Sequence, residues 1–145
     1  MNAIVCIGET LTERVQRKTD MVNARMLNAI AEEIDDWSKV SIAYQPVWTI
    51  NTGRTASHDQ VQETQKEVRD WVALNVGYNE ADTMRIIYGG AITKFNVQQL
   101  IKQPDVDGFL FGAIALKSDF VDLVNSVEEF AKQHEFTSDQ TSDEE

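Results

Sequence analysis

Ala43-Tyr44-Gln45-Pro46-Val47-Trp48-Thr49-Ile50-Asn51-Thr52-Gly53-Arg54-Thr55-Ala56 runs from the end of an apolar stretch, through a proline, into a loop of small and polar residues. The residues before the loop, Val40-Ser41-Ile42-Ala43-Tyr44, predict a strand. Pro46 stops it, because proline has no N–H to give to a sheet ladder. Beyond the loop, Ser57-His58-Asp59-Gln60 has the form of a capping box: a serine hydroxyl and a glutamine three residues on can satisfy free backbone amides at a helix start. The helix behind it carries Val61, Val68 and Val72 on one face.

The same alternation extends in both directions. Upstream, Ile4-Val5-Cys6-Ile7 predicts a buried strand ending at Gly8, followed by helical spacing from Leu11 to Trp37 through Val22, Met26, Ile30 and Ile34. Downstream, Arg85-Ile86-Ile87-Tyr88 predicts a strand closed by Gly89-Gly90, then a short helix from about Phe95 to Ile101. Val106 to Phe111 predicts a fourth strand closed by Gly112, and a last helix follows from Asp119 to Gln133, with Ser118 as its candidate cap. Strand and helix thus alternate through four units. Apolar strands between amphipathic helices imply an α/β fold with parallel strands and right-handed crossovers. The pattern alone fits an open doubly wound sheet or part of a closed barrel.

The folded unit is expected over residues 1–133, with an acidic, disordered tail over 134–145. The chain has 145 residues and a net charge of −11. Such an acidic balance argues against nucleic acid and anionic membranes as partners. Cys6 is the one cysteine, so no intrachain disulfide is possible, and it is expected as a buried packing residue. The absence of a leader and of a long apolar stretch points to a cytoplasmic protein. His58 and His134 stand apart from other ligand-type residues, so no metal and no cofactor are expected.

Four motifs begin where a predicted strand ends: Cys6-Ile7-Gly8-Glu9, the block from Ala43 to Ala56, Arg85 to Gly90, and Asp105-Val106-Asp107-Gly108-Phe109-Leu110-Phe111-Gly112. In this order and spacing the chain closely resembles the triosephosphate isomerase family, from its fifth strand to its last helix, over roughly residues 3 to 132. The resemblance implies half of a (β/α)8 TIM barrel, whose complete form needs roughly 250 residues. It also implies a small phosphorylated triose as ligand, interconversion of glyceraldehyde 3-phosphate and dihydroxyacetone phosphate as the family reaction, and glycolysis or gluconeogenesis as its setting. The loop that holds Pro46, Val47, Trp48, Thr52 and Gly53 matches the family's lid, and Tyr88 is grouped with it. Arg69 with Asp105 or Asp107 matches a structural salt bridge.

Set against the family, the chain departs at three places. Gln45 stands where the family has the glutamate that takes a proton from carbon, and a neutral amide cannot do so. At the phosphate site, Asn51 replaces a glycine, Ala91 a serine, and Ala113 a glycine, while Gly112 is retained. The asparagine, lysine and histidine that the family supplies from its first four strands have no counterpart. These departures predict a protein inactive alone, a pseudoenzyme or fragment. Four strands would leave two sheet edges and an open interior, so self-association or a half-barrel protein partner is expected. The alternatives are an isomerase that works only with a complementing N-terminal half, and an interaction module that uses the sheet edges and the acidic tail.

Overall fold

The computed structural model describes residues 1–139. Strands β1 (Ala3–Ile7), β2 (Val40–Tyr44) and β3 (Ile86–Tyr88) lie parallel in the order β1-β2-β3. Register runs from Ala3 opposite Val40 to Ile7 opposite Tyr44, and from Ile42 opposite Ile86 to Tyr44 opposite Tyr88. The expected fourth strand is weaker than its apolar sequence suggested. Residues 106–111 make one parallel bridge, Tyr88 with Phe109, although their backbone follows β3. Asp107 N–H donates to Ile86 O, Tyr88 N–H to Gly108 O and Leu110 N–H to Tyr88 O. Among the described residues this segment pairs with β3 on one side only, so half its backbone groups have no neighbouring strand there to hold them straight.

Among the described residues, six α-helices accompany the strands: α1 (Leu11–Val15), α2 (Thr19–Ala31), α3 (His58–Asn75), α4 (Tyr78–Thr83), α5 (Val97–Leu100) and α6 (Phe120–Asp139). The long helix expected from Leu11 to Trp37 is divided. Thr10 and Glu13 form a capping box that starts α1, and Arg17 takes a left-handed turn (φ 55°) before α2 begins. Trp37–Lys39 is a separate 3-10 turn capped by Asp36. The Ser57–Gln60 capping box forms as expected and opens α3. The last helix runs past its expected end at Gln133 to Asp139. Positions 140–145 of the expected tail lie outside the described residues.

Successive strand residues point to opposite faces, and the two faces differ. On one, Ile7, Val40, Ile42 and Ile86 pack with Leu27 of α2 and with Val68 and Val72 of α3. Tyr44 and Tyr88 continue that layer with Val61, Val97, Leu100 and Leu123. A fully buried aliphatic side chain of this kind contributes roughly 1.5–3 kcal/mol. The opposite face carries Ile4, 55% exposed, and Cys6. The expectation that Cys6 is buried therefore fails: it sits across from Ala43 on the side that the helices do not cover.

At the start of β3 the expected salt bridge is doubled. Arg69 Nε donates to Asp105 Oδ1 at 2.7 Å and Nη2 to Asp107 Oδ2 at 2.6 Å, while Nη1 reaches the carbonyls of Ala81 and Met84. Asp107 also accepts from the Ile86 N–H. One guanidinium thus ties α3, the end of α4, β3 and residues 105–107 together. Among the described residues, no helix is long and apolar enough to cross a membrane.

Candidate functional site

Register places four residues in a row just beyond the C-terminal ends of the strands. Gln45 N–H donates to Ile7 O at 2.7 Å, Gly89 N–H to Tyr44 O at 2.8 Å, and Leu110 N–H to Tyr88 O at 2.9 Å. Gly8 completes the row. A Cβ there would strike the Gln45 carbonyl oxygen, so only glycine lets the Gln45 backbone pass this close.

A cleft of about 480 Å³ opens over this row. Its walls bring together Gln45, Asn51, Gly53, Ala91, Gly112 and Ala113 from three separate loops. The expected phosphate-site positions therefore converge with the expected base position. Gln45 is half-buried and presents a neutral carboxamide. Gly89 and Gly90 line the same cleft. A Cβ at Gly90 would strike the Tyr88 hydroxyl and lie 2.9 Å from Thr49 Oγ1, so this turn also requires glycine. Among the described residues that line the cleft, Lys117 is the one charged side chain. Sequence reasoning passed it over, since a lysine after an apolar turn carries no motif of its own.

The lid candidate is a 3-10 turn, Val47–Thr49, followed by two left-handed residues, Asn51 (φ 55°) and Gly53 (φ 74°). Asparagine tolerates that backbone better than other side chains do. Thr49 Oγ1 donates to Pro46 O at 2.9 Å and Thr52 Oγ1 to Trp48 O at 2.7 Å, which fold the turn on itself. Tyr88 stays buried under this loop, its ring tilted 6.2 Å from that of Tyr44. Burial, before any other cause, pushes its phenol up to about 12.

Beside the cleft lies the last residue of the first strand-end motif, for which the sequence suggested no role of its own. Glu9 is fully buried. Its Oε1 accepts from Arg14 Nη1 at 2.9 Å and from Trp48 Nε1 at 2.9 Å, and the Tyr44 hydroxyl stands 3.1 Å from both oxygens. Arg14 also lies over the Trp48 ring, 5.6 Å from its centroid. Burial first, and the Glu9 charge second, push the Tyr44 phenol far above its ordinary range. Glu9 thus pins the base of the lid to β1 and α1. The sequence held Glu9 only as the end of the Cys6-Ile7-Gly8-Glu9 motif, because its partners Tyr44 and Trp48 lie far along the chain.

A family model for triosephosphate isomerase matches residues 1–127. The chain is 47% identical over 126 residues to the cytosolic triosephosphate isomerase of Oryza sativa subsp. japonica, covering 87% of this chain and 50% of that protein. It is 46% identical over 128 residues to the triosephosphate isomerase of Paracoccidioides lutzii, covering 87% and 51%. With that of Taenia solium it shares 48% over 129 residues, covering 87% and 52%. The chain thus spans about half the length of the relatives it matches. A strand-end row that gathers three loops into one cleft, a lid turn behind it and this extent of identity agree: the chain belongs to the triosephosphate isomerase family.

Proposed function

We propose that this chain supplies the C-terminal half of an isomerase barrel, four β/α units from the fifth strand to the last helix, and does not by itself interconvert glyceraldehyde 3-phosphate and dihydroxyacetone phosphate. One observation carries the reading: Gln45 lines the cleft with a neutral carboxamide, and a group of that kind does not bind and return a proton as the family reaction requires. Loss of a general base removes roughly 10²–10⁴-fold in rate. The phosphate side of the cleft supports the same reading, because Asn51, Ala91 and Ala113 line it with side chains in place of free backbone and a hydroxyl. The proposed compartment is the cytoplasm, in line with the cytosolic form of the rice relative.

A second reading rests on the uncovered sheet face. Ile4 and Cys6 are exposed there, and the outer edges of β1 and of residues 106–111 are unpaired among the described residues. This surface suits a complementary half-barrel, whether another segment, a second copy or a different protein. A coupled assay tests both readings. The purified chain is expected to show no turnover above background, and a family-like rate would sink the first reading. A Gln45→Glu chain mixed with an N-terminal half-barrel of a relative is expected to gain activity if the halves complement each other. Comigration in sedimentation without such a gain would leave pure association as the role.

A further inference from the structure

Among the described residues the sheet has two outer edges, β1 on one side and residues 106–111 on the other. Ile7 O is taken by the Gln45 N–H, just past β2. Backbone groups alternate sides along a parallel ladder, so those of Ile4 and Cys6 point outward. On the far edge Gly108 O and the Leu110 N–H both pair with Tyr88, which turns the backbone groups of Phe109 outward. Open edges are normally guarded by charges, above all lysine, or by proline. β1 reads Ala3-Ile4-Val5-Cys6-Ile7 and holds none of these.

The helix layer is incomplete beside the same far edge. Leu123 and Val127 of α6 pack into the core. Gln98 of α5 donates to Ser126 O at 3.3 Å, so that side of α6 faces α5 and the inner strands. Helical spacing puts Val124 on the opposite flank, toward the outer edge. Val124 is 39% exposed and Val121 beside it 64%. The strand residues of the uncovered sheet face, Ile4, Cys6, Ser41, Ala43 and Ile87, are all uncharged. The chain's net charge of −11 therefore does not set two such faces against each other.

We propose that the occupant of these edges is a second copy of this chain: β1 of each copy pairs in parallel with residues 106–111 of the other, and the Val121–Val124 flank of α6 covers the join. The proposal rests on the half-barrel reading and commits it to one partner. Each copy brings β1, β2, β3 and residues 106–111, so two copies bring the eight strands that close such a barrel. One copy spans about half the length of its relatives, so two make up that length. Each contact joins unlike edges, and such contacts end at two copies only if the ring closes; otherwise they run on into filaments.

Sedimentation of the purified chain at micromolar concentrations is expected to show a species of twice the 16.4 kDa chain mass. Residue-resolved amide exchange at Ile4, Cys6 and Phe109 should slow as the dimer fills, a reading that needs no variant. Val124→Glu charges the α6 flank, and Ile4→Pro removes an outward N–H without touching the β1–β2 ladder. Each is expected to weaken the dimer by about tenfold or more, judged on whichever variant melts cooperatively. Leu74→Glu, at a 78% exposed position on α3, should leave it unchanged. A monomer throughout, an open series of larger species, unslowed exchange at those amides, undiminished pairing in a folded edge variant, or equal weakening by Leu74→Glu would each overturn the proposal. The two readings fail separately. A monomer inert in the coupled assay ends the pairing of copies and leaves the half-barrel reading standing, whereas turnover by the chain alone ends that reading's inactivity whatever the assembly.

Discussion

Glu9 and Gln45 sit one position apart in equivalent places, each just past a strand end on neighbouring strands, yet their surroundings are opposite. Glu9 is sealed from water, and its oxygens face a guanidinium, an indole N–H and a phenol hydroxyl. Gln45 stands on the wall of an open cleft among glycines, alanines and aliphatic side chains. The contrast separates two tasks that share one scaffold. The corner at Glu9 holds the lid's first turn in place, and a buried charge with three partners resists change because removing it strands all three. Gln45 lines a cleft open to solvent, and its neutral amide carries no buried charge there.

The contrast breaks if the two positions prove equally tolerant. Glu9→Leu is expected to cost about 3 kcal/mol in chemical denaturation, because Arg14, Tyr44 and Trp48 lose their common acceptor. That sits at the low end for a buried ion pair, because Arg14 retains 17% exposure and can rehydrate in part. Gln45→Leu is expected to change stability by less than about 1 kcal/mol. A similar loss at both positions would show that Gln45 is structural as well.

The two tyrosines sharpen the comparison, one in each region. Tyr88 lies under the cleft and Tyr44 in the Glu9 corner. Both phenols have folded-state values above the ordinary 10.0, Tyr88 at about 12 and Tyr44 higher still. The neutral phenol is thus favoured by folding. Below pH 10 folded and unfolded chains are both neutral at these sites, so the full contribution is present; it is lost as pH rises from 10 toward 12 and beyond. For Tyr88 the contribution is on the order of 2 kcal/mol. Denaturation midpoints are expected to fall over that window. Tyr44→Phe should flatten the fall more than Tyr88→Phe, because Glu9 adds a like charge against ionisation of Tyr44. Equal flattening would mean that burial alone governs both.

Much of this arrangement was legible before any coordinates. Apolar strand runs ended by glycine or proline gave the parallel order, and Ser57 with Gln60 gave the start of α3, because those signals are local. The convergence of Gln45, Asn51, Ala91 and Ala113 on one cleft followed from motifs at strand ends. What escaped depended on contacts far apart in sequence. Glu9 meets Trp48 across the strand ends, and neither residue announces the other. Arg17 broke an expected long helix through a left-handed turn that its side chain does not advertise. Cys6 and Ile4 read as core by hydrophobicity, but hydrophobicity records which residues want a cover and not whether one is present.

The finest test concerns the lid's hold on the Glu9 corner. Trp48→Phe keeps an aromatic ring beside Arg14 but removes the indole N–H that donates to Glu9 at 2.9 Å, together with part of the ring's bulk. A hydrogen bond to a charged acceptor is worth about 1.5 kcal/mol net, so the single variant should lose roughly that much. In the Glu9→Leu background the acceptor is already gone, and the same change should then cost only what the smaller ring loses in packing. The difference between the two backgrounds isolates the pair from the packing of the ring. If Trp48→Phe costs the same in both, the indole acts by its bulk, and the lid's tie to the end of β1 is the backbone bond from Val47 N–H to Glu9 O at 3.0 Å, with Thr49 Oγ1 on Pro46 O closing the turn.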